Sequence, residues 1–369
     1  MKLNQISLKG YRNYEDLELA TPESVVLFVG PNAQGKTNLL EAIYVLTLTK
    51  SHRTSKDKEL IRWGSESAHL SANMERRQGS CKLDLTINQN GKKAKLNGLE
   101  QRKLSGYVGT LNAVLFAPED LEIVKGAPGI RRRFLDMEIG QVEPTYLYDL
   151  QQYQKALQHR NHLLRDGVGK NTTLLEVWDQ QLANFGSKIT IKRQQFIHKL
   201  QKWAEQIHSG ITDGKEQLVI RYIPSIEVAA EVEQHSILFE RFMVKLKDMK
   251  DQEMRRGVTL IGPHRDDLQF DINGRDAQSF GSQGQQRTTA LSLKLAEIEL
   301  IREEVGEYPL LLLDDVLSEL DQARQTQLIE TFQGKVQTFI TTTGIESIDR
   351  TKIQQAAIYY VNNGIVTKE

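Results

Sequence analysis

Val25-Val26-Leu27-Phe28-Val29-Gly30-Pro31-Asn32-Ala33-Gln34-Gly35-Lys36-Thr37 is the stretch on which the reading of this 369-residue chain turns. Five apolar residues in a row suit a strand buried on both faces. The eight that follow, residues 30–37, fit the phosphate-binding pattern GxxxxGK(S/T), and a helix is predicted from about Lys36 to Thr47. The chemistry needs these residue types. Glycines let backbone N–H groups curl round phosphate oxygens, and the helix N-terminus adds a favourable dipole. Lys36 is expected to reach the β- and γ-phosphates of a nucleotide, and the Thr37 hydroxyl to ligate Mg²⁺. Far downstream, Leu310-Leu311-Leu312-Leu313-Asp314-Asp315 reads as a buried strand that delivers acids at its C-terminal edge, where ligands sit in open α/β sheets. Apolar strands often end in Asp, so this segment alone says little. Beside a phosphate loop it supplies the second half of a nucleotide site, with Asp314 holding Mg²⁺ and Asp315 orienting or deprotonating the attacking water.

The chain length predicts about two domains, each able to bury a core without disulfides. Apolar residues make up 39% and charged residues 26%, and 48 Lys plus Arg balance 48 Asp plus Glu. Zero net charge excludes a protein that coats nucleic acid through bulk charge and leaves localised basic patches open. The single cysteine, Cys81, can form no internal disulfide or thiolate cluster, and no apolar segment reads as a leader or a membrane span. A soluble, cytoplasmic protein is expected. Alternating apolar residues and the turn signals Asn90-Gly91 and Asn97-Gly98 predict strands over the first ninety residues. From Leu147 the period changes to three and four. Leu175, Trp178, Leu182, Phe185, Ile189, Phe196, Leu200, Trp203 and Ile207 keep heptad-like spacing with a miss at Lys192, predicting a helix about 50 Å long. With the preceding helix it forms an antiparallel hairpin, read either as an ordinary helical lobe or as a binding arm. A helix over about 236–255, strands at Val258–Ile261 and Leu268–Ile272, a helix over about 283–304 and strands at Val336–Thr341 and Ile358–Val361 complete the reading. The fold class is α/β, with a nucleotide-binding lobe (1–115 and 257–369) around a mostly helical lobe (116–256).

A third element sorts the families. Ser279-Phe280-Gly281-Ser282-Gln283-Gly284-Gln285-Gln286-Arg287 precedes a long predicted helix and resembles the signature segment of ABC-type ATPases, with Ser282, Gly284 and Gln285 in the matching places. Ser318-Glu319-Leu320-Asp321 resembles the D-loop of the same families. The insert between Lys36 and Ser282 is longer than in transporter subunits and lacks the long coiled coil of SMC heads. With Leu8-Lys9-Gly10-Tyr11-Arg12-Asn13-Tyr14, the run 118–136 containing Arg131-Arg132-Arg133-Phe134-Leu135-Asp136, and Gly262-Pro263-His264-Arg265-Asp266-Asp267, the whole chain resembles the RecF family, an ABC/SMC-type ATPase head. That resemblance implies ATP and Mg²⁺ as cofactors, with Arg12 joining Gly30, Pro31, Asn32, Ala33, Gln34, Gly35, Lys36 and Thr37 at the nucleotide. It implies that Ser282, Gly284 and Gln285 face the ATP of a second copy, so that the chain dimerises on ATP. It further implies double-stranded DNA and single-strand/double-strand junctions as ligands, RecR and RecO as partners, a role in recombinational repair, and weak DNA-stimulated ATP hydrolysis. The catalytic residues are then Lys36, Asp315 and Ser282.

Two departures from the wider ABC pattern point to slow turnover. Asp315 stands where a glutamate is usual, and Thr342 stands near the usual switch histidine. A glutamine of the Q-loop is missing, its place falling at 118–121. The basic clusters are Arg131-Arg132-Arg133, Lys92-Lys93-Lys95, and Lys50, Arg53, Lys56 and Lys58, each readable as a solvated face or as a phosphate contact. Arg53, Lys56, Lys92, Lys93 and Lys95 are the candidate DNA contacts. His264 reads as a member of a structural network. The alternative function is an ABC-type energy-coupling subunit of a membrane transporter, against which the long insert argues.

Overall fold

Alternation at the N-terminus builds an antiparallel sheet. In the computed structural model, which describes residues 1–166, 172–228, 234–316, 325, 334–344 and 356–369, β1 (Lys2–Tyr11), β2 (Tyr14–Ala20), β4 (Ser67–Arg76), β5 (Gly79–Asn88), β6 (Gly91–Leu96) and β7 (Leu99–Glu100) lie in the order β2-β1-β4-β5-β6-β7. One face buries Leu3, Ile6, Leu8, Leu70, Leu83 and Leu85. Register places Lys93 opposite Thr86 and Lys95 opposite Asp84 on the other, polar face. At the Asn97-Gly98 turn both residues have positive φ (51° and 81°), as a two-residue type I′ hairpin requires.

The apolar runs enter a second sheet. It orders β15 (Ile365–Lys368), β14 (Ala356–Asn362), β3 (Val25–Val29), β13 (Thr338–Thr342), β12 (Leu310–Asp314) and β8 (Ala113–Phe116), all pairs being parallel except β14 with β15. Strands β12 and β13 are buried along their whole length, which is what an unbroken apolar run encodes. Helix α1 (Lys36–Leu48) follows β3. Because β13 lies between β3 and β12, the ends of all three strands converge at one edge of the sheet.

These sheets belong to one compact unit, Met1–Asp120 with Leu291–Glu369; Leu121–Ala290 forms the other. The second unit holds α2 (Leu121–Lys125), α3 (Pro128–Val142), α4 (Pro144–Asp166), α5 (Thr172–Ile211), α6 (His235–Arg256), α7 (Ala277–Phe280), the start of α8 (Gln283–Val305), and a small sheet β11-β10-β9 (Arg275–Asp276, Asp267–Ile272, Leu218–Ile223). On α5 the expected stripe is buried at Leu175, Leu182, Ile189, Phe196 and Leu200. Truncating a residue such as Leu182 to Ala would cost about 2–5 kcal/mol. The miss at Lys192 is an ion pair with Glu143.

Two expectations fail here. Val258–Ile261 is not a strand: side chains satisfy its backbone, Asn161 Oδ1 accepting from Thr259 N–H and Glu253 Oε1 from Leu260 N–H, both at 2.7 Å. Residues 257–290 fall in the second unit, not the first lobe, because β10 pairs antiparallel with β9 from Asp267 opposite Ile223 to Ile272 opposite Leu218.

Candidate nucleotide-binding site

The site starts from the loop 30–37. Ala33 (φ 64°) and Gly35 (φ 116°) both take left-handed backbone, which curls the loop into α1. At Gly35 a Cβ would stand 2.4 Å from Asn13 Nδ2, so the position admits glycine alone. The curl is pinned from outside: Asn13 Nδ2 donates to Gln34 O (3.0 Å), Tyr14 OH to Gly35 O (3.0 Å), and Gly364 N–H to Gln34 O (3.0 Å). Gly30, Pro31, Asn32, Ala33, Gln34, Gly35, Lys36 and Thr37 thus form one preorganised loop at the end of β3.

The acidic strand meets it. Thr37 Oγ1 donates to Asp314 Oδ1 at 3.0 Å, and Thr341 Oγ1, from the intervening β13, donates to the same oxygen at 2.7 Å. Thr341 Oγ1 also accepts the Asp315 N–H at 2.9 Å, and Asp315 itself has φ 53°. Such a backbone is tolerated by Asp and concentrates at functional sites. The Lys36 ammonium is folded back onto Gly30 O (2.5 Å) and Pro31 O (2.8 Å). A cavity of about 260 Å³ opens among these groups, lined by Asn32, Lys36, Thr37, Arg53, Asp314 and Asp315 with their neighbours. Burial raises the Asp314 carboxyl above its ordinary range; the Thr341 and Thr37 hydroxyls oppose this, and the charge of Glu119 adds to it. Burial lowers the Lys36 ammonium, against the pull of Asp315 and Asp314. A buried carboxylate held by two hydroxyl donors, with a lysine resting on carbonyls beside it, fits a magnesium–polyphosphate ligand. Such a ligand supplies both a cation for Asp314 and anionic oxygens for Lys36.

Other predicted residues are placed differently. Arg12 does not line the cavity: its guanidinium is held bidentate by the fully buried Glu41 (2.8 and 2.7 Å) and donates to Glu59 O (2.8 Å). Arg53 does line it, donating to Asn38 Oδ1 at 3.0 Å. Thr342 turns to the backbone, its hydroxyl 2.9 Å from Gly344 O, so the threonine that meets Asp314 is Thr341, which the sequence reading passed over. Asn38, also missed, stands next to Thr37 and was legible by position alone. The segment resembling the D-loop, 318–321, lies outside the described residues.

In the second unit, Ser282 and Gln285 form a reciprocal cap on α8. Ser282 N–H donates to Gln285 Oε1 (2.9 Å) and Gln285 N–H to Ser282 Oγ (3.2 Å). Ser282 and Gly284 are exposed, so this helix start faces solvent. Among the basic candidates, Lys93 and Lys95 are exposed on β6, and Lys56 is exposed beside Glu59. Lys92 departs from the expected DNA contact: its side chain is nearly buried, paired with Asp57 at 2.6 Å and bonded to Thr49 O. Arg131 is likewise structural, held by Asp267 at 2.6 and 2.9 Å. His264 sits in the network expected of it, with Nδ1 2.7 Å from Tyr153 OH and Nε2 3.2 Å from Thr259 O.

Comparison with known proteins decides between the nucleotide-site families. The family described as RecF/RecN/SMC N terminal domain matches residues 2–367. The DNA replication and repair protein RecF of Bacillus mycoides (strain KBAB4) is 56% identical over 372 residues, spanning 100% of this chain and 99% of that protein. The chain belongs to the RecF family. A solved structure of the recombination mediator RecF with ATP, of the RecFOR pathway, superposes with a TM-score of 0.92 at 36% identity, over 100% of this chain and 97% of that one. The Smc head domain of Pyrococcus furiosus shares the fold alone, at 15% identity and a TM-score of 0.56 over 100% of this chain and 96% of that one. The RecF fold is that of an ABC-type ATPase head, and RecF membership sets the chain in DNA repair and replaces the transporter alternative. No described helix is long and apolar enough to cross a membrane.

Proposed function

We propose that the chain is an ATP-gated DNA clamp of recombinational repair. Two copies close around two ATP molecules and hold double-stranded DNA at a gap or a single-strand/double-strand junction. Slow, DNA-stimulated hydrolysis then releases it, in the cytoplasm, with RecR and RecO as partners in loading recombinase. The observation that carries this reading is the convergence of Thr37 and Thr341 on the buried Asp314, with Lys36 and Asp315 lining the same cavity.

The loop N–H groups bind phosphate oxygens, and Lys36 leaves its carbonyls for the β- and γ-phosphates. Thr37 and Asp314 would hold Mg²⁺, which when bound offsets negative charge on the phosphates. Asp315 orients the water and accepts its proton. Phosphoryl transfer depends mainly on positioning and electrostatics, so a carboxylate one methylene shorter than glutamate, with threonine and not histidine nearby, gives slow turnover. Ser282 Oγ and the first N–H groups of α8, exposed in one copy, complete the γ-phosphate site of the other. Lys93 and Lys95 on β6, with Lys56, supply phosphate contacts to DNA, and Arg53 supplies one at the nucleotide edge.

The test is fluorescence anisotropy of a gapped duplex against salt, with ATP or ADP. ATP is expected to tighten binding, and Lys93→Ala with Lys95→Ala to reduce the log–log salt slope by about 0.9 for each DNA phosphate no longer neutralised. Binding indifferent to nucleotide, or an unchanged slope, contradicts the reading.

A further inference from the structure

Gln285 does more than cap α8. Its Oε1 accepts the Ser282 N–H, while its Nε2 donates to Glu216 Oε1 at 2.9 Å. The two partners set the amide's orientation between them, because a backbone N–H demands the oxygen and a carboxylate demands the nitrogen. The other Glu216 oxygen lies 3.2 Å from Nε2 of His208, a fully buried residue in the last turn of α5. Glu216 itself stands on a fixed mount. Thr212 Oγ1 donates to His208 O (2.8 Å), and Gln217 N–H donates to Asn273 Oδ1 (2.8 Å) while Asn273 N–H donates to Gln217 O (3.0 Å). A chain of single hydrogen bonds therefore runs from α5 through His208, Glu216 and Gln285 to Ser282.

We infer that Glu216 is a positioning residue for ATP-driven pairing: by aligning the Gln285 amide it aims Ser282 Oγ and the first α8 N–H groups at the partner copy's nucleotide, and it ties that helix start to α5. The inference rests on the composite site proposed above. Without Glu216 the Gln285 amide is free to rotate, the reciprocal cap loosens, and the γ-phosphate must order the helix start as it binds. Glutamine in its place keeps an oxygen for Gln285 Nε2 and an amide for the histidine, so the alignment survives.

The experiment uses the full chain with Glu216→Ala, Glu216→Gln and Ser282→Arg. It measures ATP binding to the monomer, the ATP concentration at half-dimerisation by sedimentation velocity, and amide hydrogen exchange over residues 283–287 without nucleotide. Glu216→Ala is expected to leave monomer ATP affinity within about twofold and to raise the dimerisation midpoint about tenfold, the scale of removing one hydrogen bond to a charged group. It should also speed exchange at 283–287, while Glu216→Gln stays close to wild type on every readout. Should Glu216→Ala fold poorly, Glu216→Met, which keeps the volume and removes the acceptor, takes its place, and near-wild-type pairing and exchange in that variant overturn the inference. Normal pairing of Glu216→Ala while Ser282→Arg stays monomeric overturns the inference and spares the composite site. A Glu216→Gln defect as large as that of Glu216→Ala overturns it as well. Normal pairing of Ser282→Arg removes the composite site, and exchange then decides the tether alone: unchanged protection in Glu216→Ala rejects it.

Discussion

Buried charge is handled in opposite ways in the helical unit and in the nucleotide site. Among the described residues of the helical unit, every large buried cation meets its counter-charge. Arg160, fully buried, pairs with Asp179 at 2.5 Å and with the buried Glu253 at 2.7 Å, and donates to Thr259 Oγ1 at 2.8 Å. Arg193 pairs with Asp136 at 2.7 Å and donates to Pro263 O at 2.7 Å. In the nucleotide site the same ingredients stay unmatched. Asp314 is met by two hydroxyls and forms no ion pair among the described residues, while the Lys36 ammonium rests on loop carbonyls. A closed set of charges serves architecture, since removing either partner strands the other. An open set of carboxylate, ammonium and outward N–H groups serves a ligand that brings the missing charges with it.

The contrast can be broken by exchanging the consequences of mutation. Arg160→Met leaves the buried Glu253 and the half-buried Asp179 without a cation and is expected to cost about 3–5 kcal/mol of stability. Asp314→Asn removes a desolvated charge that has no cation, so the ligand-free melting temperature should stay level or rise while the thermal shift on adding Mg²⁺ and ATP disappears. Calorimetry on both variants checks the pair, and equal destabilisation by the two would erase the distinction.

Within the open site, chemistry should separate from binding. Asp315→Asn keeps the shape and removes the charge, so ATP is expected to bind through Lys36, Thr37 and Asp314. Hydrolysis should fall on the order of 10²-fold or more, the range for removal of a general base. Single-turnover assays decide it. A wild-type rate would transfer the role to another carboxylate, Glu319 and Asp321 being the next to test.

The smallest effect sharpens the closed set. Burial pushes His264 down to about 4, with the Thr259 carbonyl opposing and Arg265 adding to the shift. The native state refuses a proton that the unfolded chain accepts below about 6.5, so this stabilisation is complete above that pH and is lost as pH falls toward 4. It is worth on the order of 2–3 kcal/mol across that window. Urea unfolding at pH 7 and pH 4.5 should show a larger loss for the wild type than for His264→Asn, and parallel losses would remove His264 from the acid-sensitive part of the network.

How much of this was legible depended on whether a feature is local. The phosphate loop, the acidic strand and the α5 stripe are encoded by adjacent or periodic residues, and each formed within a few residues of its expected bounds. Pairing across distance was not legible. Nothing in Leu218–Ile223 announces that it will take Asp267–Ile272 into a sheet, so the boundary at 257 was misplaced. Basic residues misled for the same reason. Lys92 and Lys93 are neighbours, but strand alternation turns the first inward to Asp57 and leaves the second exposed. Arg131 looks like a surface cluster until Asp267, far along the chain, claims it. The Glu216–Gln285 hydrogen bond joins residues with no shared motif, and only the fold brings them together.

If the open site is completed by ATP together with a second copy, sedimentation velocity with ATP against ADP must show it. A monomer is expected with ADP and a dimer with Mg²⁺ and ATP. Ser282→Arg is expected to bind ATP near normally yet stay monomeric, and Lys36→Ala to lose both binding and pairing. A Ser282→Arg variant that dimerises with ATP as the wild type does would contradict completion by a second copy.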